Sequence, residues 1–384
     1  MSKYLDMAAT TPVTKEVMEA MQPYFSEEFY NPSAGYTPSF EVSKRIEEAK
    51  ERISYYLSCD KDRIFFTSGA SESNSWAFQG WLRLHPNGVI ITTNIEHASI
   101  MRIAHDPYYS DKIIIMPVSH DGTLSPEMLD KQIDYAIGCK IAPKDILVAV
   151  QYANNEIGTI QDIETLSKIA HDRKATFFTD ATQAFADGNS RNLFSRAPHI
   201  DMLSMSGHKI GAAKGVGILY STVDLPPLIY GSQNNGMRGG TENVAGIIGL
   251  GAAFRELLFN QNRKALTETR DNILTELNNI TPVKINGVIG NNRLPNNINV
   301  TFEKPIIGTT LMSVLSALGV YISVGSACSA RESGTSHVLQ AIGLTEEEAL
   351  RTIRITIPER MKPVNVEDVI LKFNIAIDLL LKNK

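Results

Sequence analysis

Cysteine is scarce in this chain. The 384 residues hold three, Cys59, Cys139 and Cys328, too few and odd in number for a disulfide framework, a pattern that suits a reducing, cytoplasmic setting. Long apolar runs are missing too: 113–118 and 146–150 stop far short of the ~18–20 residues a membrane span needs. The opening Met1-Ser2-Lys3-Tyr4-Leu5-Asp6-Met7 has no basic patch followed by an apolar core, so nothing reads as a secretory signal and no membrane partner is expected. Positive charge is not in excess. With 37 Lys and Arg against 42 Asp and Glu, the net charge is −5 and the pI about 6.0, which argues against a nucleic-acid partner. Internal repeats and low-complexity tracts are absent, and so are both Gly-rich nucleotide signatures: Gly211-Ala212-Ala213-Lys214-Gly215 lacks the spacing, and the Ser or Thr after Lys, of a phosphate-binding loop.

What is present is ordinary globular composition, 43% hydrophobic and 21% charged, over a length that suggests about two domains. Short apolar runs rich in β-branched residues, at 63–67, 89–93, 112–117, 146–151, 176–179, 202–205 and 217–220, alternate with helical periodicity at 40–58, 71–84, 125–137 and 163–171. That alternation predicts α/β architecture, a mostly parallel sheet covered by helices. After about Gly251 the texture changes to a long charged helix over 252–279, an Asn-rich turn at 290–297, and a final amphipathic helix with Val366, Val369, Ile370, Phe373, Ile377, Leu380 and Leu381 on one face. The reading is a large domain over 15–251 and a smaller α+β domain made from 1–14 and 252–384.

Two charged residues stand at the ends of apolar runs. Asp180 closes Ala175-Thr176-Phe177-Phe178-Thr179, and Lys209 follows 200–206, so both fall at carboxyl ends of strands, where open α/β sheets bind ligands. A Lys and an Asp converging there match what pyridoxal phosphate needs, an amine for a Schiff base and a carboxylate for the ring nitrogen. By spacing alone this signal is weak, since a Lys in a loop after a strand is usually a solvated charge. The stretch Thr67-Ser68-Gly69-Ala70-Ser71-Glu72-Ser73-Asn74 lies between a strand and a helix and would offer an anion cradle of backbone N–H groups. It reads as readily as a helix cap, Ser71 with a carboxylate near the first turn.

These residues carry a resemblance. The segments 4–12, 66–74, Glu96-His97, 154–161, Asp180-Ala181-Thr182-Gln183, Ser206-Gly207-His208-Lys209 and Gly325-Ser326-Ala327-Cys328 occur in the order seen in the cysteine desulfurases, fold-type I pyridoxal-phosphate enzymes of the class V aminotransferase superfamily. The resemblance implies that Lys209 forms the Schiff base, Asp180 pairs with the ring nitrogen and Gln183 donates to the ring hydroxyl oxygen. Ala70, Ser71, Ser206 and His208 match phosphate-binding positions. Thr241 matches a Thr that reaches the phosphate of a neighbouring subunit, which implies a homodimer. His97 would stack on the ring and move protons, Asn155 would touch cofactor and substrate, and Arg354 would grip the substrate carboxylate. No metal is implied.

Cys328 sits in a stretch of small and polar residues, 324–337, which reads as an exposed loop where a thiol meets reactants. The resemblance makes it the nucleophile: L-cysteine is the substrate, alanine and a Cys328 persulfide are the products, and an acceptor protein in iron–sulfur cluster or thio-cofactor synthesis takes the sulfur. A selenocysteine lyase, or another lyase of the same fold, is the alternative. This chain departs from the family pattern at Ala212-Ala213-Lys214-Gly215, at 232–235, where a Glu-Arg pair is lost, and at Gly240, which replaces a Ser before Thr241. Those departures bear on subunit contacts and leave the cofactor positions untouched.

Overall fold

The structure is a computed structural model that describes residues 3–186, 190–259, 263–325, 335–358 and 364–382. Its strands, in chain order, are β1 (Lys3–Tyr4), β2 (Ile64–Thr67), β3 (Val89–Thr93), β4 (Ile113–Met116), β5 (Ile146–Ala149), β6 (Thr176–Asp180), β7 (Met202–Ser206), β8 (Gly217–Ser221), β9 (Val283–Ile285), β10 (Asn297–Phe302), β11 (Val320–Tyr321) and β12 (Thr352–Thr356). Seven of them form one sheet in the order β2-β8-β7-β6-β5-β3-β4. All its pairings are parallel except those of β8, which runs against both β2 and β7.

The runs were legible as strands because both faces of this sheet are covered, so neither face needs polar residues. Consecutive residues enter opposite cores. Ile91, Val148, Phe177, Leu203 and Ile218 pack on one side with the helices Thr37–Leu57 and Val244–Leu257. Ile90, Leu147, Phe178, Met202 and Leu219 pack on the other with Trp76, Phe78 and Trp81 of the helix Ala70–Leu84. The period-2 geometry of a strand dictates this alternation.

A third cluster belongs to the antiparallel sheet β12-β10-β9 and the pair β1-β11. Leu5, Ile298, Val300, Phe302, Ile353, Ile355 and Phe373 fill it, under the helices Arg263–Ile280, Gly308–Ala317 and Val366–Lys382. One expectation needs correction. The charged stretch over 252–279 is not one helix: a helix ends at Leu257 and the next begins at Arg263. Gly251 lies inside the first of these, which sends Ala253, Phe254 and Leu257 into the large-sheet core. Among the described residues no helix is long and apolar enough to cross a membrane.

Candidate active site

Strands β2, β3, β5, β6 and β7 point the same way, so their carboxyl ends share one edge of the sheet. A cavity of about 1040 Å³ opens there. Of the residues singled out from the sequence, Ala70, Ser71, His97, Asn155, Asp180, Gln183, Ser206, His208, Lys209 and Arg354 all line it. Thr241 is exposed and does not line it, and Cys328 lies outside the described residues.

Lys209 follows β7 in the one-turn helix Gly207–Lys209. Its Nζ donates to the carbonyls of Ala8 and Ala9, the latter at 2.8 Å. Gln183 Nε2 donates to the same Ala8 carbonyl at 3.2 Å, and His208 Nδ1 meets Thr10 Oγ1 at 3.0 Å. Burial, helped by Lys209 and Lys214, pushes His208 down to about 4, so its ring is neutral at pH 7. Asp180 ends β6, with Oδ1 accepting from Thr182 N and Oδ2 from Asn74 Nδ2, both at 2.9 Å. Beside it Thr182 Oγ1 is buried and has no hydrogen-bond partner.

The stretch after β2 resolves between its two readings. Gly69 sits at φ +153°, ψ 176°, a region open to glycine, and the helix Ala70–Leu84 begins with no side-chain cap. Ser71 is not the cap; it is exposed in the first turn. The first-turn carboxylate, Glu72, accepts from Ser68 N at 2.8 Å and is gripped by Arg238 at 2.9 and 3.1 Å. The helix end therefore presents uncapped N–H groups and the positive pole of its dipole to the cavity. Gly217 of β8 permits this turn, since a Cβ there would come within 2.6 Å of Gly69 Cα.

His97 follows β3 and caps the helix Ala98–Ala104, its Nδ1 accepting from Ser99 N at 3.1 Å. Burial lowers its pKa; Lys209 and His337 act in the same sense and Asp180 in the opposite one. Its neighbour Glu96 is fully buried and receives Thr93 Oγ1 at 2.6 Å and Gln151 N at 3.0 and 3.1 Å. Burial outweighs those donors and pushes Glu96 up to about 8.

At the other end stands Arg354 on β12, 1% exposed. Its Nη2 holds Asp6 Oδ1 at 2.6 Å and its Nη1 the Asn155 carbonyl at 3.1 Å, while Nε is buried without a partner. Glu156 lies nearby, 1% exposed, with its pKa raised by burial against the pull of Ser336, Arg354 and His337. Ser336 Oγ donates to its Oε2 at 2.5 Å, and a side chain added at Gly325 would meet Ser336 at 3.3 Å and that same oxygen at 3.9 Å. Gly325 and Ser336, described residues on either side of Cys328, thus meet at Glu156. His337 Nε2 bonds the Glu96 carbonyl at 2.9 Å.

Several of these groups had no role in the sequence reading. Asp6, Asn74, Glu96, Glu156 and His337 stood inside the quoted segments, where position in a motif was the one signal that marked them. Ser99 carried no signal.

The chain is similar to known proteins over nearly its whole length. The model of a family described as aminotransferase class-V matches residues 3–368. A protein named cysteine desulfurase IscS from Dictyoglomus turgidum is 41% identical over 369 residues, covering 92% of this chain and 89% of the relative. One of the same name from Methanosarcina thermophila is 37% identical, covering 92% and 86%. Among solved structures, a NifS-like protein superposes with a TM-score of 0.86 at 30% identity over all of both chains. The structure titled SspA in complex with cysteine gives 0.79 at 35%, covering 93% of this chain and 99% of the other.

Proposed function

This chain belongs to the aminotransferase class-V family, and we propose that it works within it as a pyridoxal-phosphate-dependent cysteine desulfurase. The observation that carries the reading is one cavity with two unlike ends. One end offers an amine, a carboxylate and an uncapped helix N-terminus; the other a buried guanidinium with an unpartnered Nε–H. A flat, phosphate-bearing cofactor fits the first end, where the orphaned Thr182 hydroxyl also lies, and an amino-acid carboxylate fits the second.

Asp180 would accept from the ring N–H and Gln183 would donate to the ring hydroxyl oxygen. The amides at Ala70 and Ser71, with Ser206 and His208, would hold the phosphate, and Thr241 would serve the site of a partner subunit in a homodimer. When bound, the cofactor supplies an electron sink that loosens the bonds at the amino acid's α-carbon. Lys209 Nζ is the base and acid of the reaction, taking a proton at Cα and returning one. His97 would lie against the ring, neutral at physiological pH because burial lowers its pKa. Arg354 holds the L-cysteine carboxylate in a planar grip that Lys cannot copy, with Asn155 beside it.

The Cys328 thiolate attacks the substrate sulfur, since the thiol form is a poor nucleophile. The Cβ–S bond breaks, its electron pair stays with the carbon fragment, and a proton added there gives L-alanine. Sulfur remains on Cys328 as a persulfide and passes to an acceptor protein in the cytoplasm.

One variant and one labelling experiment test this. Cys328→Ala should abolish alanine and sulfide release from L-cysteine while the visible absorption of the holoenzyme is unchanged. Borohydride reduction followed by digestion should find the cofactor on Lys209. A cofactor-free protein, or full turnover by Cys328→Ala, would overturn the proposal.

A further inference from the structure

Resting on that function, we propose that Asn74 is a positioning residue whose single buried amide sets the acceptor face of Asp180 and, by committing the Ser99 hydroxyl to His97 Nδ1, adds a second donor that holds that nitrogen unprotonated. Asn74 is fully buried in the helix Ala70–Leu84, and every polar hydrogen it owns is committed. Ser204, also fully buried, meets Asn74 Oδ1 at 2.5 Å. The Asp180 carboxylate can only accept, so Nδ2 faces it, Oδ1 faces Ser204 and the Ser204 hydroxyl is the donor. Nδ2 then points the other way with two hydrogens. One goes to Asp180 Oδ2 and the other to Ser99 Oγ, both at 2.9 Å.

The second bond propagates. Because Ser99 Oγ accepts from Asn74, its one hydrogen is free to donate to His97 Nδ1, 2.9 Å away. Ser99 N donates to the same nitrogen at 3.1 Å. A ring nitrogen that accepts from two donors carries no proton, so the neutral ring keeps its proton on Nε2. His97 is thereby a hydrogen-bond donor through Nε2. It could take up a proton only at Nδ1, by displacing Ser99.

Three other residue types fail at the position. Asp at 74 would set a second carboxylate against Asp180, Leu has no hydrogens to give, and Ser has one where two are needed. One side chain thus ties the partner of the ring nitrogen to the histidine on the ring face. The two groups come from different strand ends, β6 and β3.

Nitrogen NMR of the holoenzyme labelled with ¹⁵N-histidine tests this, with the His97 signals assigned by their loss in His97→Gln. The wild type and Ser99→Thr should show the Nε2–H form alone. Asn74→Leu and Ser99→Ala should keep that tautomer through the N–H of residue 99 but take up a proton at Nδ1 at higher pH than the wild type, and Asn74→Leu should also shift the pH midpoint of the visible spectrum. They should also lose about tenfold in kcat with KM for L-cysteine within about twofold, because Arg354 is untouched. Ser99→Ala, at a half-buried position, covers the case in which Asn74→Leu does not fold. An unchanged His97 midpoint in Ser99→Ala or Asn74→Leu, or a Nδ1–H signal in the neutral wild type, overturns the inference. A wild type with no visible band would count against the proposed function alone, since the nitrogen signals read the tautomer with or without cofactor.

Discussion

Replacing Arg354 by Gln separates two jobs that one guanidinium performs. It neutralises Asp6, whose side chain is only 15% exposed and lies 2.6 Å from Nη2, and it leaves Nε free for a ligand. The variant strands the Asp6 carboxylate, and removing one partner of a buried pair costs about 3–5 kcal/mol. At about 2.1 cal/mol/K per residue of unfolding entropy over 384 residues, a loss of about 4 kcal/mol lowers Tm by about 5 °C. The substrate carboxylate loses a charge-assisted bond of about 2 kcal/mol, about 30-fold in kcat/KM, carried mainly by KM. Asp6→Asn added to Arg354→Gln removes the stranded charge, so Tm should recover most of its fall while kcat/KM stays low. Thermal unfolding of both variants beside steady-state alanine release reads the two effects apart. If kcat/KM recovers together with Tm, or if Arg354→Gln alone leaves KM within twofold of the wild type, Arg354 does not bind the substrate.

Two further outcomes follow from charges at the other end. Arg238→Gln should leave Glu72 uncompensated in the first turn of the uncapped helix and speed cofactor loss about tenfold, whereas Glu72→Gln added to it should restore retention, as read by dialysis and visible absorbance. Glu96 binds its proton more tightly in the fold than in the unfolded chain, with a pKa of about 8 against the ordinary 4.5. Its stabilisation is therefore complete below about pH 4.5 and is lost as pH rises toward 8. Glu96→Gln should flatten this part of the stability profile between pH 5 and 8 in urea titrations, and an unchanged slope would refute the assignment.

The parts of the fold legible in the sequence were runs that are apolar or β-branched because most or all of their residues are buried. β3 falls on 89–93, as read, because Val89 to Thr93 is apolar or β-branched throughout; β5 begins at Ile146 and stops two residues before the run does. Short pairings such as β1 with β11 were invisible, since two residues carry no periodicity. The break between Leu257 and Arg263 was missed because the charged pattern of one helix continues into the next. At the site, Asp180 and Lys209 stood out as charges terminating apolar runs. Asn74 did not, because its partner Asp180 lies 106 positions away and a buried amide in a helix is written like an exposed one. Ser71 had two local readings, and only the geometry of Gly69 decided between them.

The segment from Lys3 to Thr11 has a consequence for the order in which this protein can be made. Asp6 holds Arg354 across 348 positions, and Ala8 receives Lys209 across 201. This segment thus leaves the ribosome well before the residues it waits for, because Lys3 and Tyr4 have no strand to join until Val320 and Tyr321 have emerged. Contacts this distant along the chain close slowly. A nascent chain halted before Thr352 already carries the lysine, the aspartate and the helix end, but it lacks the arginine strand. With the roles proposed above, such a chain would meet the cofactor before it could grip free cysteine.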